Sequence, residues 1–170
     1  MRFTLSLVLL AAVSCTRPPL PEPSAPQVAP NAPPDVPINA VDSAGTNQLF
    51  TLMEPCIMVA QHTYADAKRR YVAGLPHDQS FFVTTRLQDV QGRREQVFVA
   101  VNRIERDTVW GRIWNELRTV RGFATGQTVA VPEAEVIDWT ITHPDGTEEG
   151  NHLGYLIDEL RAGRHPICQS

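Results

Sequence analysis

Residues 81–104 read FFVTTRLQDVQGRREQVFVAVNRI, and an antiparallel strand pair can be drawn from this segment alone. Phe81, Val83, Thr85 and Leu87 recur at every second position, so they share one face of a strand. Residues 91–95, QGRRE, are polar and contain glycine; they turn the chain. QVFVAVNRI follows, aromatic and β-branched with almost no polar break, which suits a central strand covered on both faces. A tight turn, ERDT, leads into VWGRIWN, residues 109–115, a third strand. The three make an antiparallel meander.

Beyond the meander, ELRTVRGFATGQ is a short irregular stretch. Val120 and Phe123 are its inward anchors, and Gly126 closes the turn. TVAVP is a brief strand ended by Pro132, and VIDWTIT is another, followed by HPDG, whose Asp145-Gly146 is a turn signal. In LGYLIDELRAG, Leu153, Leu156, Ile157 and Leu160 form one stripe, the mark of a C-terminal helix. Ahead of the meander a helix is expected over Glu54–Ala73, with Pro55 at its first helical position. Cys56, Ala60, Thr63, Ala67 and Tyr71 recur at helical spacing. Lys68, Arg69 and Arg70 complement the C-terminal dipole, and Gly74 and Pro76 end the helix. The expected fold is therefore α+β: an antiparallel sheet of about five strands packed with an N-terminal helix and a short C-terminal helix.

The first 46 residues read differently. Arg2 and the apolar run Phe3–Val13 have the length of a secretory h-region and are too short for a membrane span, which needs roughly 20 residues. The run ends Ala12-Val13-Ser14-Cys15, which resembles the lipobox of bacterial lipoproteins, where the cysteine carries the lipid. Residues 1–14 are then a signal peptide and Cys15 is the lipidation site. Two or three acyl chains give stable attachment where one would not. Thr16, where enteric-type sorting has Asp for inner-membrane retention, points to the outer membrane. Nine of the chain's 14 prolines lie between Pro18 and Pro37. Such a tract is a semi-rigid spacer at about 3.1 Å per residue, so twenty residues reach roughly 60 Å. The expected layout is a signal peptide (1–14), a lipidated cysteine with a proline-rich stalk (15–46), and a globular head (47–170).

Net charge is −4 with acids and bases interleaved, and Lys68 is the only lysine. No basic stripe is visible, which argues against nucleic acid as a partner. With Cys15 lipidated, Cys56 and Cys168 remain in an oxidising compartment, and a disulfide between them would staple the two ends of the head. No CxxC or Cys/His ligand spacing occurs, so no metal and no cofactor is expected.

The residues of the head resemble the DUF2314 family of bacteria. That pattern runs as an F-x-V strand, then Gly and an acidic residue ahead of an aromatic-rich strand. A G-x-(I/L)-x-N strand, a G-(D/Q)-x-V turn and an I-x-D-W strand follow. Phe81 or Phe82 with Val83, Gly92, Glu95, Gly111, Ile113, Asn115, Gly126, Gln127, Val129, Ile137, Asp138 and Trp139 stand at those positions, over about residues 75–156. Gln96, Val97 and Phe98 stand where the family has His-(aromatic or Met)-Trp, which bears on any function resting on that histidine. The ending also departs, with His152, Leu153, Gly154 and Tyr155 after Gly150-Asn151. The resemblance implies a fold; it implies no established reaction.

Glu95, Asn115 and Asp138 are the candidate binding residues. If Ile137, Trp139 and Ile141 share the core face, Asp138 points to solvent or a cleft; the reverse requires a buried, paired Asp. The competing reading is that Asn115 and Asp138 tie loops by hydrogen bonds. His143 and His152 complete the titratable candidates, but no GxSxG, HExxH or phosphate loop occurs and no catalytic residue is assigned. Two function classes follow. The first is a binding or interaction module held on a stalk in the cell envelope, anchored through Cys15 and facing the periplasm. Its partner would be an envelope protein, a glycan or, in an immunity-like role, a toxin. The second is a small hydrolase-like enzyme using Glu95 or Asp138. A pocket with converging carboxylate and histidine would mark the enzyme; an exposed aromatic patch would mark the binder.

Overall fold

The computed structural model describes residues 45–164 and Cys168. The signal peptide, Cys15 and nearly all of the stalk lie outside the described residues.

The meander is as expected. β1 (Ser80–Gln88) pairs with β2 (Arg94–Glu105), and β2 with β3 (Thr108–Ile113), all antiparallel. β4 (Thr128–Pro132) adds to β3, and β5 (Asp138–Thr142) adds to the far edge of β1. The sheet has six strands in the order β4-β3-β2-β1-β5-β6. The strand beyond the expected five is β6 (Glu148–Gly150), the return arm of the Asp145-Gly146 hairpin. Its sequence, Glu-Glu-Gly, has no alternating apolar signal; only pairing with β5 makes it a strand.

The register places Phe81, Val83, Val97, Val99, Trp139 and Ile141 on one face. Helix α1 (Gly45–Ala73) packs there through Ala60 and Ala67, with Tyr64 and Tyr71 beside them. The two alanines let the helix axis approach a surface of β-branched side chains. The buried indole of Trp139 finds a partner, donating from Nε1 to Thr63 Oγ1 at 3.0 Å. Ile137 joins a second cluster with Met53, Cys56, Ile57, Leu153 and Leu156, where α2 (His152–Arg161) meets α1. Cys56 and Cys168 form a disulfide, their Cα atoms 5.1 Å apart, tying the end of the chain to α1.

One boundary differs. α1 begins nine residues before Glu54, so Pro55 lies inside it and is not at its first position. A proline inside a helix removes one i→i−4 bond. Burial of Met53, Cys56 and Ile57 on both sides of Pro55 stabilises these turns and offsets that loss.

β4 and β5 lie on opposite sides of the meander, yet only residues 133–137 separate them, including the 3-10 turn Glu133–Glu135. So short a strap requires the sheet to curl. Consistent with this, residues of β1 and β4, which have two other strands between them in sheet order, line one cleft. The strap is held at both ends: Glu133 N–H donates to Asp107 O, Ile137 N–H to Thr84 O, and Thr85 Oγ1 to Glu135 O. Glu133 also accepts from Tyr64 and Lys68 of α1.

Candidate functional site

Glu95, the second residue of β2, is 2 % exposed. Its Oε1 accepts from Arg118 N–H at 2.8 Å, and its Oε2 from Thr119 and Val120 N–H at 2.7 and 3.0 Å. Three consecutive amides of the loop between β3 and β4 thus converge on one buried carboxylate. Residues 116–127 have little regular structure to satisfy their backbone, so a carboxylate supplies the acceptors.

Asp89, in the β1–β2 turn, does the same for the next residue and for its own turn. It accepts from Gln91, Arg93 and Arg121 N–H and from Arg93 Nε. Burial works to raise its pKa, but the Arg93 guanidinium and the amides of Arg121, Arg93 and Gln91 outweigh it and hold the carboxyl at about 2. Asn115 closes the end of β3, with Oδ1 accepting from Phe98 N–H at 2.8 Å and Nδ2 donating to Glu116 O.

Asp138 differs from the solvent-facing expectation and is 1 % exposed. The alternation itself is as expected, since Trp139 and Ile141 lie on the α1 face. What covers Asp138 is the start of α2, which the β5–β6 hairpin brings alongside. Its Oδ2 accepts from Leu153 N–H at 2.7 Å and its Oδ1 from Trp139 N–H at 2.8 Å. The residue at the N-cap position, Asn151, is left-handed (φ 51°) and makes no side-chain cap bond. Asp138 therefore caps α2 from fourteen residues upstream of its first residue, His152. Burial pushes its pKa up to about 7; the amides of Leu153, Trp139 and His152 oppose the rise, and Glu148 adds to it.

The three candidates do not form one site. Glu95 pairs across to Leu87, whereas Asp138 pairs to Thr84 on the other edge of β1. Each is buried and bonded to backbone amides. The histidines do not join them. His143 sits between Gln79 (Nδ1, 3.0 Å) and Glu149 (Nε2, 2.9 Å), and Glu149 takes a bidentate contact from Arg70. Both ring nitrogens are thus engaged. His152 lies edge-on to Trp139, and burial lowers its pKa. Among the described residues, no group of three or more His, Cys, Asp or Glu could hold a metal ion, and no helix is long and apolar enough to cross a membrane.

Two surfaces remain. The first is the cleft between the end of β1 and β4, about 620 Å³, with Leu87, Phe123, Val129 and Ile137 among its walls and Arg86 and Arg94 also lining it. Glu135 is the one carboxylate among the described residues lining it, and no histidine is among them. The second is the sheet face turned away from α1. There the alternation of β3 puts Trp110, Arg112 and Trp114 side by side with Phe98, Ala100 and Arg103 of β2. Trp114 is 42 % exposed and stands edge-on to Phe82, ring centroids 5.8 Å apart. The Arg103 guanidinium lies 4.7 Å over the Trp110 ring. None of Asp89, Trp110, Arg112 or Trp114 was among the sequence candidates. For the last three the signal was present in VWGRIWN, where residues at 110, 112 and 114 must leave the core face if Val109, Gly111 and Ile113 occupy it.

The family model for DUF2314, described as an uncharacterized protein conserved in bacteria, matches residues 51–165. The chain belongs to this family. Neither the curated proteins nor the solved structures contain a match.

Proposed function

We propose that this chain is a lipid-anchored protein of the bacterial envelope whose head is a non-catalytic binding module carried on a stalk. One observation carries the reading. The buried carboxylates that could have served as base or nucleophile spend both oxygens on backbone amides, while on the sheet face turned away from α1 Trp114 is 42 % exposed and the Arg103 side chain 40 % exposed. Exposed Trp and Arg are the residue types that dominate binding energetics. The hydrolase alternative using Glu95 or Asp138 is disfavoured, because neither carboxylate opens into the cleft whose walls are described above. The anchor rests on Ala12-Val13-Ser14-Cys15 and the proline-rich segment after it.

Photo-crosslinking in native envelopes tests the binding half. A reactive group placed at Thr128, on the strand beside Arg112, should capture a discrete partner. The same group at Asp66, on the exposed side of α1, should not. Equal labelling from both positions sinks the reading. Mass spectrometry of the mature N-terminus tests the anchor: an unmodified Cys15, or cleavage elsewhere, ends that half.

A further inference from the structure

We propose that the sheet face built from Trp110, Arg112, Trp114, Arg103 and Asn102 binds an acidic glycan, a saccharide chain bearing carboxylates or phosphates. This rests on the binding-module reading and names its partner class.

The first argument is charge. The chain carries −4 overall, yet this face presents two guanidinium groups. Arg112 has no carboxylate partner among the described residues; its Nη1 donates only to Gly126 O at 3.2 Å, and its Nε is buried without a partner. Arg103 makes one long contact, 3.4 Å, to exposed Glu105, which contributes little. A guanidinium left with open donors beside indoles is suited to a planar anion, which it can grip with two parallel bonds.

The second argument is Asn102. It is the extra residue of a bulge between Val101 and Arg103, and a bulge turns a side chain out of the regular alternation. Its Oδ1 and Nδ2 are both withdrawn from solvent with no hydrogen-bond partner. Thr142 Oγ1, on the same face, is likewise unpartnered. Such groups usually have partners in a folded protein. An amide that can donate and accept together matches a sugar hydroxyl, and a saccharide would reach it by displacing the side chains that now cover its polar atoms.

The third argument is shape. Trp114 stands on the pleated sheet face, 42 % exposed. The exposed part of the Trp114 ring can meet the C–H side of a pyranose while the arginines reach substituent anions.

The test uses the full mature chain in detergent, titrated with four immobilised probes: polygalacturonate, a phosphorylated lipopolysaccharide core oligosaccharide, neutral dextran and polyglutamate. At least one of the two acidic saccharides should bind, and affinity should fall with added salt. Dextran should not bind, and polyglutamate should bind at least tenfold more weakly. Arg112→Gln and Trp114→Ala should each weaken saccharide binding about tenfold or more, the equivalent of one well-made contact, while far-UV circular dichroism is unchanged. Arg112→Lys should lie between Gln and wild type. Binding of neither acidic saccharide overturns the proposal, as does equal binding of polyglutamate, which would mean charge alone. If saccharide binding fails while position-specific crosslinking from Thr128 persists, the glycan is wrong and the binding module stands.

Discussion

Replacing Glu95 with Gln removes one charge and one acceptor oxygen but keeps the shape of the side chain. The best orientation for the new carboxamide turns its oxygen to Thr119 and Val120, the two amides that share Oε2. The NH₂ group then faces Arg118 N–H, a donor against a donor, where an acceptor stood at 2.8 Å. Hydrogen bonds to charged groups contribute about 1.5–3 kcal/mol each, and an orphaned buried donor costs a similar amount. With one acceptor lost outright and two bonds weakened, Glu95→Gln should destabilise the head by about 2–4 kcal/mol. That corresponds to a fall in Tm of about 8–16 °C for a domain of this size.

The assay is urea denaturation followed by tryptophan fluorescence, with hydrogen exchange to locate the damage. Exchange at the amides of Arg118, Thr119 and Val120 should accelerate first and most, because local opening there no longer breaks charge-assisted bonds. A structural Glu95 predicts that any loss of partner binding tracks the loss of fold. If Glu95→Gln leaves the urea midpoint within about 0.5 kcal/mol of wild type and still abolishes crosslinking, Glu95 is a ligand-contacting residue and the account of the loop is wrong.

Asp138, with a pKa raised to about 7, should make the head lose stability as pH rises from about 4 to 7, because the folded state holds the proton longer. The urea midpoint of Asp138→Asn should lack that slope; parallel slopes would contradict the burial. Asp89, held at about 2, acts in the opposite sense: its contribution is present above about pH 4 and is lost as pH falls through 2, so Asp89→Asn should flatten the acid limb of the same curve. Gly111→Ala should destabilise by at least about 3 kcal/mol in the same denaturation assay, since a Cβ there would lie 2.3 Å from Ala100 O and 2.6 Å from Val99 Cγ1; a neutral result would mean that β2 and β3 can separate without penalty. Reducing the Cys56–Cys168 disulfide, which closes 112 residues, should lower stability by up to about 4–5 kcal/mol in the chain-entropy account. The midpoint with and without reductant measures it, and a Cys56→Ser/Cys168→Ser variant should show no response.

How far the sequence spoke depended on whether a residue's surroundings were local. The meander was legible because its strands are long, alternate cleanly and are joined by short polar turns. β6 was not, because three residues without an apolar pattern become a strand only against β5. Trp139 was legible as core from its neighbours Ile137 and Ile141. Asp138 was half legible: alternation gives its face, but what covers it arrives thirteen residues later, when Asn151 takes a left-handed conformation and starts α2 beside it. Glu95 was chosen as an acid ahead of an aromatic-rich strand, and its partners are main-chain amides more than twenty residues away, which no side-chain pattern announces.

The positions that carried the family resemblance and the positions that face outward separate along a single strand. In G-x-(I/L)-x-N, Gly111 is where β2 and β3 come too close for a Cβ, Ile113 is core, and Asn115 bonds the backbone of Phe98. Glu95 and Asp138, also in the pattern, hold a loop and a helix. Each of these has a reason in the fold. The two unspecified positions of that strand are Arg112 and Trp114, which point the other way. A strand whose fixed positions face inward can change its outward residues without disturbing the core, because successive side chains lie on opposite faces. On the proposed reading, the pattern marks this chain's scaffold, and what the chain binds is set at Arg112 and Trp114, positions that the pattern leaves open. A chain with the same inward residues and small polar side chains at 112 and 114 should fold as well as this one and should not bind the acidic saccharide.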